Sequence, residues 1–283
     1  MTNAARTGYA PVNGLRMYYE IHGSGQPLLL LHGAYMTVEL MGKLVPELAR
    51  TRQVIAVEFQ AHGHTADIDR PITYECLADD AAALLRYLGV GSADVYGYSL
   101  GGGVALQVAL RHPDLVRRLV VVSASYTRDG VYDEVFAAIE QITPDVFQGT
   151  PWREAYERTA PDPNAFPALV DKLKQLDMTP FAWPAEAVRA IGAPTLIVIG
   201  DSDGTRPEHA VEMFRLRGGG VFGDLAGLPA SQLAVLPGTT HVGMLERADW
   251  LVAMIAPFLD APLPSAGGQP ADQVHGSPPA GSA

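Results

Sequence analysis

The stretch that most constrains this chain is Asp94-Val95-Tyr96-Gly97-Tyr98-Ser99-Leu100-Gly101-Gly102-Gly103. An apolar, strand-like run leads into the pentapeptide Gly97 to Gly101, and the helix-like Val104 to Leu110 follows it. A glycine-x-serine-x-glycine sequence in that setting describes a strained strand-to-helix turn that lifts a serine hydroxyl off a sheet, while the glycines let the two backbones come close. Ser99 is therefore the candidate nucleophile. The alternative is a glycine-rich turn with an incidental serine, and the choice depends on whether the chain also supplies a base, an acid and an anion trap.

Strand-like and helix-like segments alternate along the chain. Gly8 to Val12 and Leu15 to His22 read as a hairpin joined by Asn13-Gly14, a strong two-residue turn signal. Pro27 to Leu31 is a short, wholly apolar run, as expected for a strand buried on both faces. Gln53 to Val57, Ala93 to Tyr98, Arg118 to Val122, Thr195 to Ile199 and Gln232 to Leu236 continue the series. Tyr74 to Leu88 places Leu77, Ala81, Leu84, Leu85 and Leu88 at helical spacing with Asp79, Asp80 and Arg86 opposite, the pattern of a helix lying over a sheet. Such alternation predicts an α/β fold with a mostly parallel central sheet flanked by helices.

One interval breaks the rhythm. From Thr127 to Ala190 there are helical pieces, several prolines and the aromatics Phe136, Phe147, Trp152, Phe166, Phe181 and Trp183, but no strand signal. A plain crossover needs far fewer residues, so residues 127–190 are expected to form a helical cap inserted into a core of residues 1–126 and 191–260. Its aromatics either line a substrate pocket, with Trp152, Phe181 and Trp183 as candidates beside Tyr35 and Tyr98, or form a small core of their own. Residues 261–283, rich in Pro, Gly, Ser and Ala, are expected to be a disordered tail.

Composition narrows the partners. The formal net charge of −11 repels phosphate backbones and anionic membrane surfaces, so neither nucleic acid nor membrane is expected. Met1 to Arg6 lacks the apolar core of a secretory signal, and no later segment has the length of a membrane span, so the expectation is a soluble cytoplasmic protein. Cys76 stands alone, which rules out an internal disulfide. No nucleotide signature or metal-ligand cluster accompanies the elbow, and no cofactor is expected.

A serine hydroxyl becomes nucleophilic when an imidazole takes its proton and a carboxylate orients that imidazole. Of the eight histidines, His241 lies in Pro237-Gly238-Thr239-Thr240-His241, just after the last expected strand, at the sheet edge where sites of parallel sheets are built. His22 and His112 fall at element ends far from it, and His275 falls in the tail. For the acid, Gly200-Asp201-Ser202-Asp203-Gly204 follows another strand. Asp203 is chosen because it lies further past the strand end, while Asp201 suits a turn-holding role; Asp201 remains the alternative. The anion trap would use backbone amides, one from Leu100 and one from Ala34 in His32-Gly33-Ala34-Tyr35, with His32 bracing that loop.

Leu31-His32-Gly33, Gly97 to Gly102, Arg111-His112-Pro113, Gly200 to Asp203 and Gly238 to His241 together resemble the α/β-hydrolase superfamily over roughly residues 10 to 260. The chain looks like its branch of serine esterases, lactonases, haloperoxidase-like perhydrolases and C–C bond hydrolases. The order Ser99, Asp203, His241 matches that family's catalytic order. One segment departs from it: where the family has Asp-x-x-Gly-x-Gly-x-Ser, this chain has Glu58-Phe59-Gln60-Ala61-His62-Gly63-His64-Thr65. The resemblance implies hydrolysis of a small-molecule carboxylic ester or lactone. The large interval points to a bulky hydrophobic substrate such as a macrocyclic lactone of macrolide or mycotoxin type. A C–C bond hydrolase, a perhydrolase, a proline iminopeptidase using acids such as Glu134, Glu140, Glu154 and Glu157, and a small-molecule receptor are the alternatives.

Overall fold

The computed structural model describes residues 5–263; the expected tail beyond residue 263, and with it His275, lies outside the described residues. Eight strands form one sheet: β1 Arg6–Val12, β2 Leu15–His22, β3 Gln26–Leu31, β4 Arg52–Val57, β5 Ala93–Tyr98, β6 Val116–Val122, β7 Thr195–Ser202 and β8 Gln232–Thr240. Their order is β1-β2-β4-β3-β5-β6-β7-β8, with β1 and β2 antiparallel and β4 through β8 parallel. Ten α-helices accompany them among the described residues: α1 Leu44–Leu48, α2 Tyr74–Tyr87, α3 Leu100–Arg111, α4 Asp133–Glu140, α5 Pro151–Thr159, α6 Phe166–Met178, α7 Ala185–Ala190, α8 Pro207–Leu216, α9 Gly223–Ala226 and α10 Ala248–Asp260. No helix among the described residues is long and apolar enough to cross a membrane.

The uninterrupted apolar runs follow from burial on both faces. Side chains alternate along a strand, so Leu29 and Leu31 join one core with Leu77 of α2 and Val104 of α3. Leu28 and Leu30 join a second core with Leu44 of α1 and with Leu251 and Ile255 of α10. The sequence reading omits α1, α8, α9 and α10, and it ends β7 and β8 too early. Pro237-Gly238 reads as a breaker, but Gly238 takes φ +57° and Ser202 pairs with Thr240 beyond an irregularity at Gly200. The Asp201 carboxylate accepts from the amides of Gly238 (2.9 Å) and Thr239 (3.2 Å), which ties the extended strand ends together.

Residues between β6 and β7 are helical, with only the isolated bridges Thr127–Ala182 and Val131–Thr205. Phe166 is fully buried against Phe147 and Tyr156, at centroid distances of 5.3 and 5.0 Å. It forms local core rather than a surface for ligand. α7 returns to the main body, where Val188 packs into the first core.

Two buried histidines shape the loop after β3. A carbonyl only accepts, so His32 donates from Nδ1 to the Gly33 carbonyl (2.7 Å), and its Nε2 accepts from the Phe59 amide (3.2 Å). By the same reasoning His62 donates from Nδ1 to the Gln60 carbonyl (2.9 Å) and accepts at Nε2 from the Tyr35 amide (3.2 Å). Tyr35 is thereby held at φ +64°. The segment that departs from the family pattern is hydrogen-bonded both within itself and to its neighbours. Buried Glu58 accepts from the Val38 (3.1 Å) and His64 (2.6 Å) amides, and Thr65 Oγ1 donates to the Glu58 carbonyl at 2.7 Å.

Burial, aided by the neighbouring His62, lowers the His32 pKa to about 3, and burial lowers that of His62 to about 4. Both rings are neutral in the folded chain, whereas in the unfolded chain they take up protons below about pH 6.5. The unfolded state then binds more protons, so stability is lost as pH falls from about 6.5 toward those folded values, by about 1.4 kcal/mol per pH unit for each histidine. Urea unfolding of His62→Gln between pH 6 and pH 4.5 should show a slope shallower than that of the native chain by about one such share; equal slopes would contradict a neutral buried His62. A second test concerns backbone contact: a Cβ on Gly97 would stand 1.9 Å from the Gly101 carbonyl oxygen. Gly97→Ala should cost about 3 kcal/mol of unfolding free energy, and an unchanged urea midpoint would show that the turn has room to relax.

Candidate active site

Ser99 lies between β5 and α3 at φ +54°. Its amide donates to the Val122 carbonyl (2.9 Å), and its own carbonyl accepts from Gly102 (2.8 Å) and Gly103 (3.1 Å). The backbone is pinned on both sides, which sustains a conformation that residues other than glycine rarely adopt. Its Oγ stands 2.9 Å from Nε2 of His241, the residue that follows β8. Nδ1 of His241 stands 2.8 Å from Oδ1 of Asp203, the residue that follows β7. A carboxylate only accepts, so Nδ1 carries the proton and Nε2 is left to accept from the Ser99 hydroxyl. Tyr98 donates its hydroxyl to the His241 carbonyl at 2.9 Å and so holds the histidine from behind.

Of the two candidate acids, Asp203 is the one beside His241; Asp201 is exposed and occupied with the β8 amides. The Asp203 side chain has no solvent exposure. Burial pushes its carboxyl upward, but the hydrogen bond and charge of His241, the Ser123 hydroxyl and the Thr205 amide outweigh that, and the group is held below the usual range. Ser123 donates to Oδ2 at 2.5 Å, the Gly200 amide to the same oxygen at 3.3 Å, and Thr205 to Oδ1 at 3.1 Å. Sequence reasoning missed Ser123, although its place at the end of β6, between the strands that carry Ser99 and Asp203, was a usable signal.

These side chains open into a cavity of about 450 Å³. Ala34 and Leu100 line it beside Ser99, and among the described residues neither amide donates to a protein acceptor. Tyr35, Tyr98, Trp152 and Phe181 line it, joined by Tyr74, Phe136 and Phe147. Trp183 does not. Its amide is bonded to the Tyr126 carbonyl beside the Thr127–Ala182 bridge, which turns the indole inward, edge-on to Tyr74 at 5.4 Å and behind Phe181. Glu134, Glu140, Glu154 and Glu157 face solvent. The acid that does line the cavity is Asp177, near the end of α6, which the sequence pattern does not single out. Burial pushes its carboxyl up to about 7 against the opposing pull of Arg128 and His241. Among the described residues there is no group of three or more His, Cys, Asp or Glu placed to hold a metal.

Comparison with known proteins places the fold in a family. A 2-hydroxymuconate semialdehyde hydrolase of Pseudomonas sp. strain CF600 is 35% identical over 116 residues, 40% of this chain and 41% of the relative. A pimeloyl-acyl-carrier-protein methyl ester esterase of Neisseria meningitidis is 28% identical over 266 residues, 85% of this chain and 78% of the relative. The solved enol-lactonase of Burkholderia xenovorans LB400 superposes with a TM-score of 0.65 at 20% identity, covering 89% of this chain and 99% of its own; at that identity it speaks to the fold. The sequence model of the alpha/beta hydrolase family matches residues 28–254. The chain belongs to the alpha/beta hydrolase family.

Proposed function

We propose that the chain is a serine hydrolase that cleaves a carboxylic ester or lactone through an acyl-enzyme. The observation that carries this reading is the hydrogen-bonded line from Ser99 through His241 to Asp203, opening into an apolar cavity. In the first half-reaction Ser99 Oγ attacks the carbonyl carbon as His241 Nε2 takes its proton. The negative charge that develops on the carbonyl oxygen is met by the free amides of Ala34 and Leu100, each supplying on the order of 3 kcal/mol. His241 then passes its proton to the leaving alkoxide. In the second half, water attacks the acyl-enzyme with His241 again as base, and Ser99 regains its proton. Asp203 keeps the imidazole in the required tautomer throughout.

The helical interval 127–190 acts as a cap in this reading, because Phe136, Phe147, Trp152 and Phe181 form the wall facing Ser99. A cavity of about 450 Å³ with aromatic walls favours a bulky hydrophobic substrate. A macrocyclic lactone of mycotoxin or macrolide type is the finer form of the proposal. The partial likeness to a 2-hydroxymuconate semialdehyde hydrolase supports C–C bond hydrolysis as a second reading.

Ser99→Ala should lower kcat by about four orders of magnitude or more while the chain still binds ligand. Undiminished turnover would remove Ser99 from the mechanism, and an undiminished ligand response in a chain with no turnover at all would favour a receptor. A panel of short acyl esters, large lactones and vinylogous C–C substrates tests the substrate class. Cleavage of short esters alone would exclude the bulky-lactone form.

A further inference from the structure

Asp177 stands apart from every other charged group of the site. It is the penultimate residue of α6, where the helix dipole already disfavours negative charge, and it lines a cavity whose wall is otherwise almost wholly aromatic and aliphatic. Its carboxyl makes no hydrogen bond or ion pair with any described residue. The adjacent cation does not pair with it: the Arg128 guanidinium lies over the Phe136 ring, 3.5 Å from its centroid, and donates to the Asp177 backbone carbonyl at 3.2 Å. Asp177 lines the cavity together with Tyr35 and Tyr74, and burial, with the Asp177 charge behind it, pushes both tyrosine hydroxyls upward. In the same cavity lining, the Tyr35 hydroxyl is buried without a partner.

A buried polar group left unpaired is costly; the Tyr35 hydroxyl is one, and the half-buried Asp177 carboxyl, unpaired among the described residues, lines the same largely apolar cavity, so the two describe a recognition site that a ligand completes. A hydroxyl satisfies both in either protonation state of Asp177: it donates to the carboxylate or accepts from the carboxyl O–H, and it pairs with the Tyr35 hydroxyl. An ammonium can donate to both oxygens, but it leaves the Tyr35 O–H without an acceptor and would meet the Arg128 charge. We propose that Asp177, with Tyr35, determines specificity by binding a hydroxyl carried on the apolar part of the substrate remote from the scissile bond, so that the preferred substrates are hydroxylated esters or lactones. The inference rests on the serine hydrolase reading.

The test uses three aryl-alkyl fluorophosphonates that differ only at the far end of the aryl group: a phenolic hydroxyl, hydrogen, or an aminomethyl group. Ser99 Oγ forms the new bond to phosphorus, fluoride leaves, and His241 receives the serine proton. Mass spectrometry of the full chain gives the second-order rate of labelling at Ser99. The hydroxylated probe should label about tenfold faster than the plain one. Asp177→Leu should bring the ratio to about one, and Asp177→Asn, which keeps an acceptor oxygen, should restore most of it. Equal rates in the native chain, a preference that survives Asp177→Leu, or fastest labelling by the aminomethyl probe would each overturn the proposal. If Ser99 labels with all three at equal rates, this inference alone fails; if it labels with none, the serine hydrolase reading fails with it.

Discussion

The site depends on how closely β5, α3 and the loop after β3 approach one another. A Cβ on Gly101 would stand 2.2 Å from the Leu31 carbonyl oxygen, as a Cβ on Gly97 would stand against Gly101 itself. With both side chains reduced to hydrogen, the helix begins directly above the strand, and the residue between them has to turn back at positive φ. Ser99 is that residue. Its hydroxyl is consequently lifted off the sheet, and the Leu100 and Ala34 amides are brought to the same cavity. Strain at one serine and a pair of free amides thus have a common origin in backbone contact.

The two carboxylates of the site differ in what surrounds them. Asp203 is as dry as any side chain in the molecule, yet four donors, from His241, Ser123, Gly200 and Thr205, converge on its two oxygens and keep it ionised. Asp177 has no such donors and sits at the unfavourable end of a helix, so burial dominates and its proton is held to near neutrality. The first arrangement is complete within the chain and serves to orient an imidazole. The second has no donor among the described residues.

Much of the fold was legible because burial on two faces leaves a plain record. Four or five consecutive apolar residues such as Leu28 to Leu31 suit few environments other than a parallel strand between helix layers. The ends of β7 and β8 were not legible. Local chemistry at Gly200 and Pro237-Gly238 signals a break, while the hydrogen bonds that carry pairing past it come from Asp201, distant in sequence. Of the aromatics between β6 and β7, Phe136, Phe147, Trp152 and Phe181 reach the cavity, whereas Phe166 and Trp183 pack behind it. Composition alone does not separate the two groups, because both consist of large apolar rings.

By itself the sequence determined the elements whose causes are local or periodic: the alternating strands and helices, the glycine-framed turn at Ser99, and the positions of Asp203 and His241 just beyond strand ends. Tertiary structure alone decided that His241 and Asp203 meet in a line with Ser99 and that Ser123 completes the carboxylate's shell. It also decided that Asp177 faces the same cavity without a partner. The physical reason is that a short turn is governed by its own φ, ψ and nearest contacts. The state of a buried polar group depends on which partners the fold brings to it, and the ones that make the site lie 38 positions apart between Asp203 and His241 and 142 between His241 and Ser99.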